Sequence, residues 1–434
     1  MVITLVMDQY GMVENGTTTT AMQLASKMRE KGHTVRIVTC IRNDDEVGIY
    51  LVKERHFPLI TPIIHSHGMV LAKPDKKVLE AAFSGADLVH FFMPFKLAKV
   101  GKTLCDRLGI ASTAAFHVQP ENITYNIGLR KLEFVNQWIY GLYKKFFDRF
   151  AHVHVPSQMV RGLLAEHGYA STVHPVSNGV RDVFFTAPKS ERPAELNDRF
   201  VVMMCGRFGR EKRQDILIKA AAKSKYSDKI QVVLCGKGPC GAKLQSLGEK
   251  LLKNPPVLKF CNREELIKTI DSADLYVHTG EIECEAIACM EAFVRGLVPL
   301  ISDAKYSATK QFALHEQNIF QSGNTDELAQ KIDWFIEHPA EKAAMQKEYL
   351  AIAPNYTLDK CVGQMEQIFI KAVEENRKRV QNIAAEKNYL SDLTEKDIRR
   401  YRKEKLAYQE RALMEGQPDY DEEYIRTVLP EAAE

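Results

Sequence analysis

A chain of 434 residues, 45% hydrophobic and 26% charged, is too long for one ordinary domain and apolar enough to build two cores, which excludes a disordered or fibrous protein. Its formal net charge is only +3, so the global balance points to no particular partner, and nucleic acid is not expected as one. The nine cysteines stand singly, none in a Cys-x-x-Cys pair, a pattern of reduced thiols in a cytoplasmic protein.

The N-terminus enters a strand at once, Val2-Ile3-Thr4-Leu5-Val6-Met7, without a basic leader or a small-residue cleavage site. No apolar run approaches the roughly 20 residues that span a bilayer. The expected location is the cytoplasm, or the cytoplasmic face of the plasma membrane as a peripheral protein.

Short apolar runs then alternate with helical stretches, the signature of parallel α/β units. Strands are expected over 3–7, 34–39, 87–92, 112–117 and 152–156, with a first helix from about Thr18 to Lys31 stopped by Gly32. Positions 186–198, rich in proline and charge, read as a linker. The alternation restarts with strands over 200–205, 230–235, 257–260, 274–278 and 298–302. Two such series predict two doubly wound, Rossmann-like domains, 1–185 and 199–356, whose strand ends face across a cleft. A helix over 357–376 and a charged helical tail over 377–434 follow, the tail being a solvated, fraying end or a partner contact.

Two stretches carry chemistry. Cys205-Gly206-Arg207-Phe208-Gly209-Arg210-Glu211-Lys212 lies where a strand ends and a helix begins. Glycines admit a ligand close to the backbone, the helix start offers free N–H groups, and Arg207 and Lys212 add fixed positive charge, a combination that suits a diphosphate. The bland alternative is a surface βα loop. The second stretch, Glu281 to Glu291, follows the strand 274–278 and leads into a helix. Glu283 at the turn can accept hydrogen bonds from sugar hydroxyls, and Glu291, deeper in an apolar stretch, can grip a ribose diol. Complementing a helix dipole explains Glu281, Glu283 and Glu285 but not Glu291.

The ordered set of Gly206-Arg207 with Lys212, Cys235-Gly236-Lys237-Gly238-Pro239, Ala273 to Val277, Glu283 with Glu291, and Arg295 to Ile301 resembles the family 4 retaining glycosyltransferases of GT-B architecture. Ser177-Asn178-Gly179-Val180 matches that family's junction, and Glu14-Asn15-Gly16 its glycine loop. The resemblance spans roughly residues 1–375 and extends to bacterial diacylglycerol glucosyltransferases. It implies an N-terminal acceptor side, a C-terminal nucleotide-sugar side and a 357–376 helix packing back on the N-terminal domain. It also implies that Arg207 and Lys212 neutralise the leaving diphosphate, with Gly16 approaching from the opposite domain. Glu283 and the backbone of Glu285, Ala286 and Ile287 hold the sugar, Glu291 the ribose, and His117 is the active-site histidine. The donor is UDP-glucose by default, with no cofactor and no metal. Glu285-Ala286-Ile287 replaces the family's usual Phe-Gly-Leu, which puts the sugar's identity in doubt.

Metal ligation is not expected elsewhere. The only Asp-x-Asp is Asp419-Tyr420-Asp421, in the acidic end, and His65/His67 and His152/His154 have no acidic or thiol partner nearby in sequence. The stretch 129–150 carries Phe134, Trp138 and Leu142 at helical spacing among Arg130, Lys131, Lys144, Lys145 and Arg149. Such a helix suits an anionic membrane surface and a lipid acceptor; the alternative is an amphipathic helix packed on its own domain. A polysaccharide intermediate, a small-molecule acceptor and a nucleotide-sugar epimerase stay open beside the lipid reading.

Overall fold

The structure, a computed structural model, describes residues 1–12, 16–43, 46–58, 61, 65, 69–126, 128–129, 132–391 and 394–415. The N-terminal half is a seven-stranded parallel sheet in the order β3-β2-β1-β4-β5-β6-β7. Its strands are β1 (Val2–Val6), β2 (Thr34–Thr39), β3 (Ile49–Leu51), β4 (Leu88–Phe91), β5 (Ala111–Ala115), β6 (His152–Val155) and β7 (Thr172–Pro175). Helices α1 (Gly16–Glu30), α2 (Lys76–Phe83), α3 (Lys96–Leu108), α4 (Pro120–Asn126), α5 (Glu133–Phe147) and α6 (Gln158–Glu166) cover its faces. Runs such as Leu88–Phe91 are buried at every position, because helices on both sides leave no solvated face.

A short helix, α7 (Val183–Thr186), leads into the second half, a six-stranded sheet in the order β10-β9-β8-β11-β13-β15. Its strands are β8 (Phe200–Cys205), β9 (Ile230–Cys235), β10 (Val257–Lys259), β11 (Leu275–His278), β13 (Pro299–Ser302) and β15 (Ile319–Phe320). A separate ribbon pairs β12 (Ile282–Glu283) with β14 (Tyr306–Ser307). The helices are α8 (Gln214–Lys223), α9 (Gly241–Leu251), α10 (Arg263–Asp271), α11 (Ile287–Val294), α12 (Thr325–Glu337) and α13 (Pro339–Ile352). Each sheet reverses its strand order once, between β1 and β4 and between β8 and β11, and ligands of doubly wound sheets bind outside such points.

The chain crosses between the halves twice, side by side: Val180 N–H donates to Tyr356 O at 2.8 Å and Leu358 N–H to Val180 O at 3.0 Å. Gly179 lies in the left-handed region, and a Cβ there would stand 3.0 Å from Leu358 Cα, so this packing requires glycine. After the second crossing, α14 (Leu358–Ser391) buries Leu358, Cys361, Val362, Met365, Phe369 and Val373 against the core of the first sheet.

The charged stretch from 377 is helical as expected, but the helix expected to end at 376 runs unbroken as α14 to Ser391, and α15 (Glu395–Glu415) follows. Its residues are strong helix formers with no Gly or Pro to stop them, so charge here marks a solvated helix. Arg377 pairs with Asp87 at 3.1 Å, and Lys405 of α15 with Glu386 of α14 at 2.7 Å. The Asp419-Tyr420-Asp421 motif lies outside the described residues.

Candidate active site

β8 delivers Cys205 to the sheet edge, and the next residues form a tight loop over a buried carboxylate. Glu211 lies beneath it and accepts from the Arg207 guanidinium at 2.8 Å. A Cβ on Gly209 would come within 2.3 Å of that carboxylate, so any larger residue there would have to displace Glu211. The loop is backed by the turn after β9. A Cβ on Gly236 would stand 2.1 Å from Gly206 O, and one on Gly238 2.7 Å from Phe208 O. Two glycine-bearing loops thus pack backbone to backbone, presenting Arg207 and Lys212 to the cleft.

Lys212 is paired with Glu283, which strand pairing of β12 with β14 fixes opposite Ser307. Burial pulls the Lys212 ammonium down, but Glu283 and Glu211 outweigh it and hold it above its ordinary value. Burial likewise raises Glu283, and Lys212 with His278 outweighs it and keeps the carboxyl low. His278, 3.8 Å from Glu283, is pushed down to about 4 by burial and is neutral. The pair is therefore a fixed dipole, with Glu283 in a strand and the helix α11 beginning only at Ile287.

The turn between them passes through Ala286, which adopts the left-handed conformation at φ 65°. An alanine there costs about 1 kcal/mol relative to glycine. It turns the chain so that α11 starts beside Glu283, its free N–H groups facing the strand ends. Glu291 sits on α11, half-buried, and burial pushes its carboxyl up to about 8 with Arg263 opposing.

Four contacts join the halves around these loops. Arg207 donates to Asn126 Oδ1 at the end of α4, at 3.2 Å. The Cys284 thiol, 3.4 Å from each acceptor, faces His117 O and Gln119 Oε1. Gln119 Nε2 donates to Tyr306 O at 3.3 Å. Glu285 accepts from the backbone N–H and the side-chain amide of Asn178, at 2.9 and 2.6 Å.

His117, two residues beyond β5 rather than at its end, stacks on Phe92 with ring centroids 6.0 Å apart. Burial, with His154 and His90 beside it, holds it well below its ordinary value, so it is neutral. Its Nε2 is buried without a hydrogen-bond partner among the described residues. With His90 and His154 it lines a small pocket of about 20 Å³. Gly16 opens α1 at the C-terminal edge of the first sheet, and a Cβ there would meet nothing within 4 Å. Glu14 and Asn15 of its loop lie outside the described residues.

The aromatic helix is α5. It is amphipathic: Tyr140, Tyr143, Phe146 and Phe147 are buried, while Phe134 is 70% and Trp138 64% exposed. Lys144 is paired with Asp148, and Arg149 with Asp106 at 2.8 Å, so neither is an unpaired charge. Lys145 is exposed and lines a groove of about 560 Å³ between α3 and α5, with Lys76, Lys96 and Lys99 at its rim and Leu104, Leu142 and Phe146 among its lining. Arg130 and Lys131 lie outside the described residues.

The histidine pairs do have acidic neighbours, only distant in sequence: His65 meets Glu54 and His152 meets Glu375, both at 2.7 Å. His67 lies outside the described residues. Sequence reading missed Gln119, Asn126 and Cys284 as cleft residues, and no local signal marks them, because each works through a partner in the other half. Arg295, quoted only as part of a motif, proves structural. It forms a buried bidentate pair with Asp271 and donates to the carbonyls of Phe184, Ala187 and Pro188, tying the linker to the second half.

Two Rossmann-like sheets whose switch points meet across a cleft, one bearing a cationic glycine loop and a carboxylate held near a helix start, form the two-domain arrangement of a glycosyltransferase of GT-B architecture. The Glycosyltransferase Family 4 profile matches residues 14–183 and the Glycosyl transferases group 1 profile residues 187–351. The chain belongs to the family 4 glycosyltransferases of GT-B architecture. It is 26% identical over 299 residues to a GDP-mannose-dependent alpha-mannosyltransferase of Corynebacterium glutamicum, a match covering 66% of this chain and 68% of the relative. It is 23% identical over 327 residues to an alpha-monoglucosyldiacylglycerol synthase of Streptococcus pneumoniae, covering 70% and 71%. Among solved structures, Anabaena Alr3699/HepE in complex with UDP and glucose superposes with a TM-score of 0.66 at 18% identity, covering 86% of this chain and 100% of that one.

Proposed function

We propose that this enzyme transfers glucose from UDP-glucose to the hydroxyl of a membrane lipid, diacylglycerol foremost, at an anionic membrane surface and without a metal. The observation that carries the lipid reading is the outer face of α5. Phe134 and Trp138 are exposed there beside a groove rimmed by lysines. Exposed large aromatics next to unpaired cations favour an interface with anionic headgroups and cost solubility elsewhere. The synthase relative from Streptococcus pneumoniae supports the same acceptor class. No helix among the described residues is long and apolar enough to cross a membrane, which is consistent with surface attachment.

In this reading the diphosphate lies on the 206–212 loop, where Arg207 and Lys212 take up the charge that develops as the sugar C1–O bond breaks. Glu283 and the start of α11 hold the sugar, and Glu291 the ribose. The acceptor oxygen bonds to C1 on the face the diphosphate leaves, and its proton passes to the departing phosphate. His117, neutral, orients the sugar rather than acting as a base. A GDP-mannose donor is the second reading, favoured by the mannosyltransferase relative.

The test offers purified enzyme UDP-glucose or GDP-mannose, with vesicles of phosphatidylglycerol containing or lacking diacylglycerol, and follows nucleotide release and glycolipid formation. UDP release that requires diacylglycerol and survives EDTA is expected. Release from GDP-mannose alone sinks the donor assignment, and an epimerised sugar nucleotide without release sinks the transfer reading. Trp138→Ser combined with Lys145→Glu should abolish vesicle flotation; unchanged flotation removes the membrane claim.

A further inference from the structure

Glu285, next to the left-handed Ala286, does not behave as a surface glutamate. It is 3% exposed, and one of its oxygens takes both donors of Asn178. Its other oxygen, Oε1, is buried and meets no donor among the described residues, and the same holds for Asn178 Oδ1. Burial pushes its carboxyl up to about 7 against the hydrogen bonds of Asn178. A buried carboxylate in this state is retained at a cost, which apolar packing by an aromatic residue would avoid.

Its position gives that cost a use. Asn178 belongs to the crossover strand, one residue before Gly179, which packs on the returning chain at Leu358. Glu285 sits two residues after Glu283 and one before the strained Ala286, inside the turn that holds the donor sugar in the reading above. We propose that Glu285 is a positioning residue: its side chain ties the sugar-holding turn to the interdomain crossover, so the turn keeps its shape only when the two halves are seated. The contact at Cys284 with His117 and Gln119 holds the same turn from its other side. The turn 283–287, formally part of the second half, is therefore gripped by the first half at two successive residues. The tether bears on the sugar more directly than on the diphosphate, because the 206–212 loop, although Lys212 meets Glu283, has its own buttress in Glu211, Gly236 and Gly238.

This inference rests on the donor-site reading for which residues hold the sugar, but the tether itself is tested without it. Amide hydrogen exchange is measured on the full chain for the wild type, Glu285→Gln, Glu285→Met and Asn178→Ala. Glu285→Met keeps the volume and loses the acceptor of both Asn178 hydrogen bonds, so exchange across 283–287 should rise about tenfold or more. Glu285→Gln keeps a carbonyl for the Asn178 donors and should stay near the wild type. Asn178→Ala should loosen the same turn, and the double variant with Glu285→Met should add little more. Binding supplies the functional readout: Glu285→Met should weaken UDP-glucose about tenfold relative to UDP, whose affinity stays nearly unchanged. Unchanged exchange in Glu285→Met, or an equal rise in Glu285→Gln, overturns the tether. Equal loss of UDP and UDP-glucose overturns the positioning role. A wild type that binds neither nucleotide refutes the donor-site reading instead, and the exchange result then decides the tether alone.

Discussion

Glu291 illustrates how far residue type and burial go together in fixing chemistry. A carboxyl on an apolar helix, held up to about 8 by burial, keeps its proton when folded over a range where the unfolded chain has lost it. The sign follows from linkage. The folded state binds more protons between the ordinary carboxyl value of 4.5 and about 8, so the stability contributed by the protonated form is complete below that window and is lost as pH rises through it. Glu291→Gln should therefore match the wild type in thermal unfolding near pH 5 and exceed it by a few kcal/mol at most near pH 9. Curves that stay parallel across that range would mean Glu291 is solvated and titrates normally. The carboxylate was legible in the sequence because it interrupts an apolar stretch; its protonation was not, because that depends on what surrounds the helix.

At the scale of elements, the donor loop owes its shape to a neighbour. The glycines of Gly206–Gly209 were readable as a close-approach turn, but those of the turn after β9 were readable only as a motif. Packed together, they leave no room for a methyl group: at Gly236 it would overlap a backbone oxygen, which cannot rotate away. Gly236→Ala should therefore lower the urea midpoint by the equivalent of about 2 kcal/mol or more and abolish nucleotide binding. Wild-type nucleotide affinity in that variant would show that the 206–212 loop stands without its support. The short strands 49–51, 282–283, 306–307 and 319–320 are too brief to show a period, yet the pairing of two of them fixes Glu283. Glu283, expected at the turn before the helix, lies in the short strand β12, and Glu291 lies in the helix α11.

For the whole molecule, the C-terminal helix matters most. Residues of α14 from Leu358 to Val373 fill the core of the first sheet, although they lie farthest from it in sequence. Deleting everything after 356 removes those apolar side chains and exposes the sheet. Such a chain should aggregate or bind a hydrophobic dye, while one ending at 394 should unfold near the wild-type temperature and keep its nucleotide affinity. A soluble, cooperatively folding 1–356 chain would show that α14 is dispensable to the N-terminal core.

Periodicity and turn residues alone determined the two α/β series, the linker between them and the glycine-arginine loop, because these are local: a strand of five residues and a turn of four carry their own signals. The cleft's cationic and acidic residues were legible for the same reason, as charges placed at strand ends. Only the tertiary structure decided how they pair. Lys212 meets Glu283 across 71 positions, Arg207 meets Asn126 across 81 and Glu285 meets Asn178 across 107. Contacts at such separations leave no trace in spacing, because they are set by where two folded sheets bring their edges.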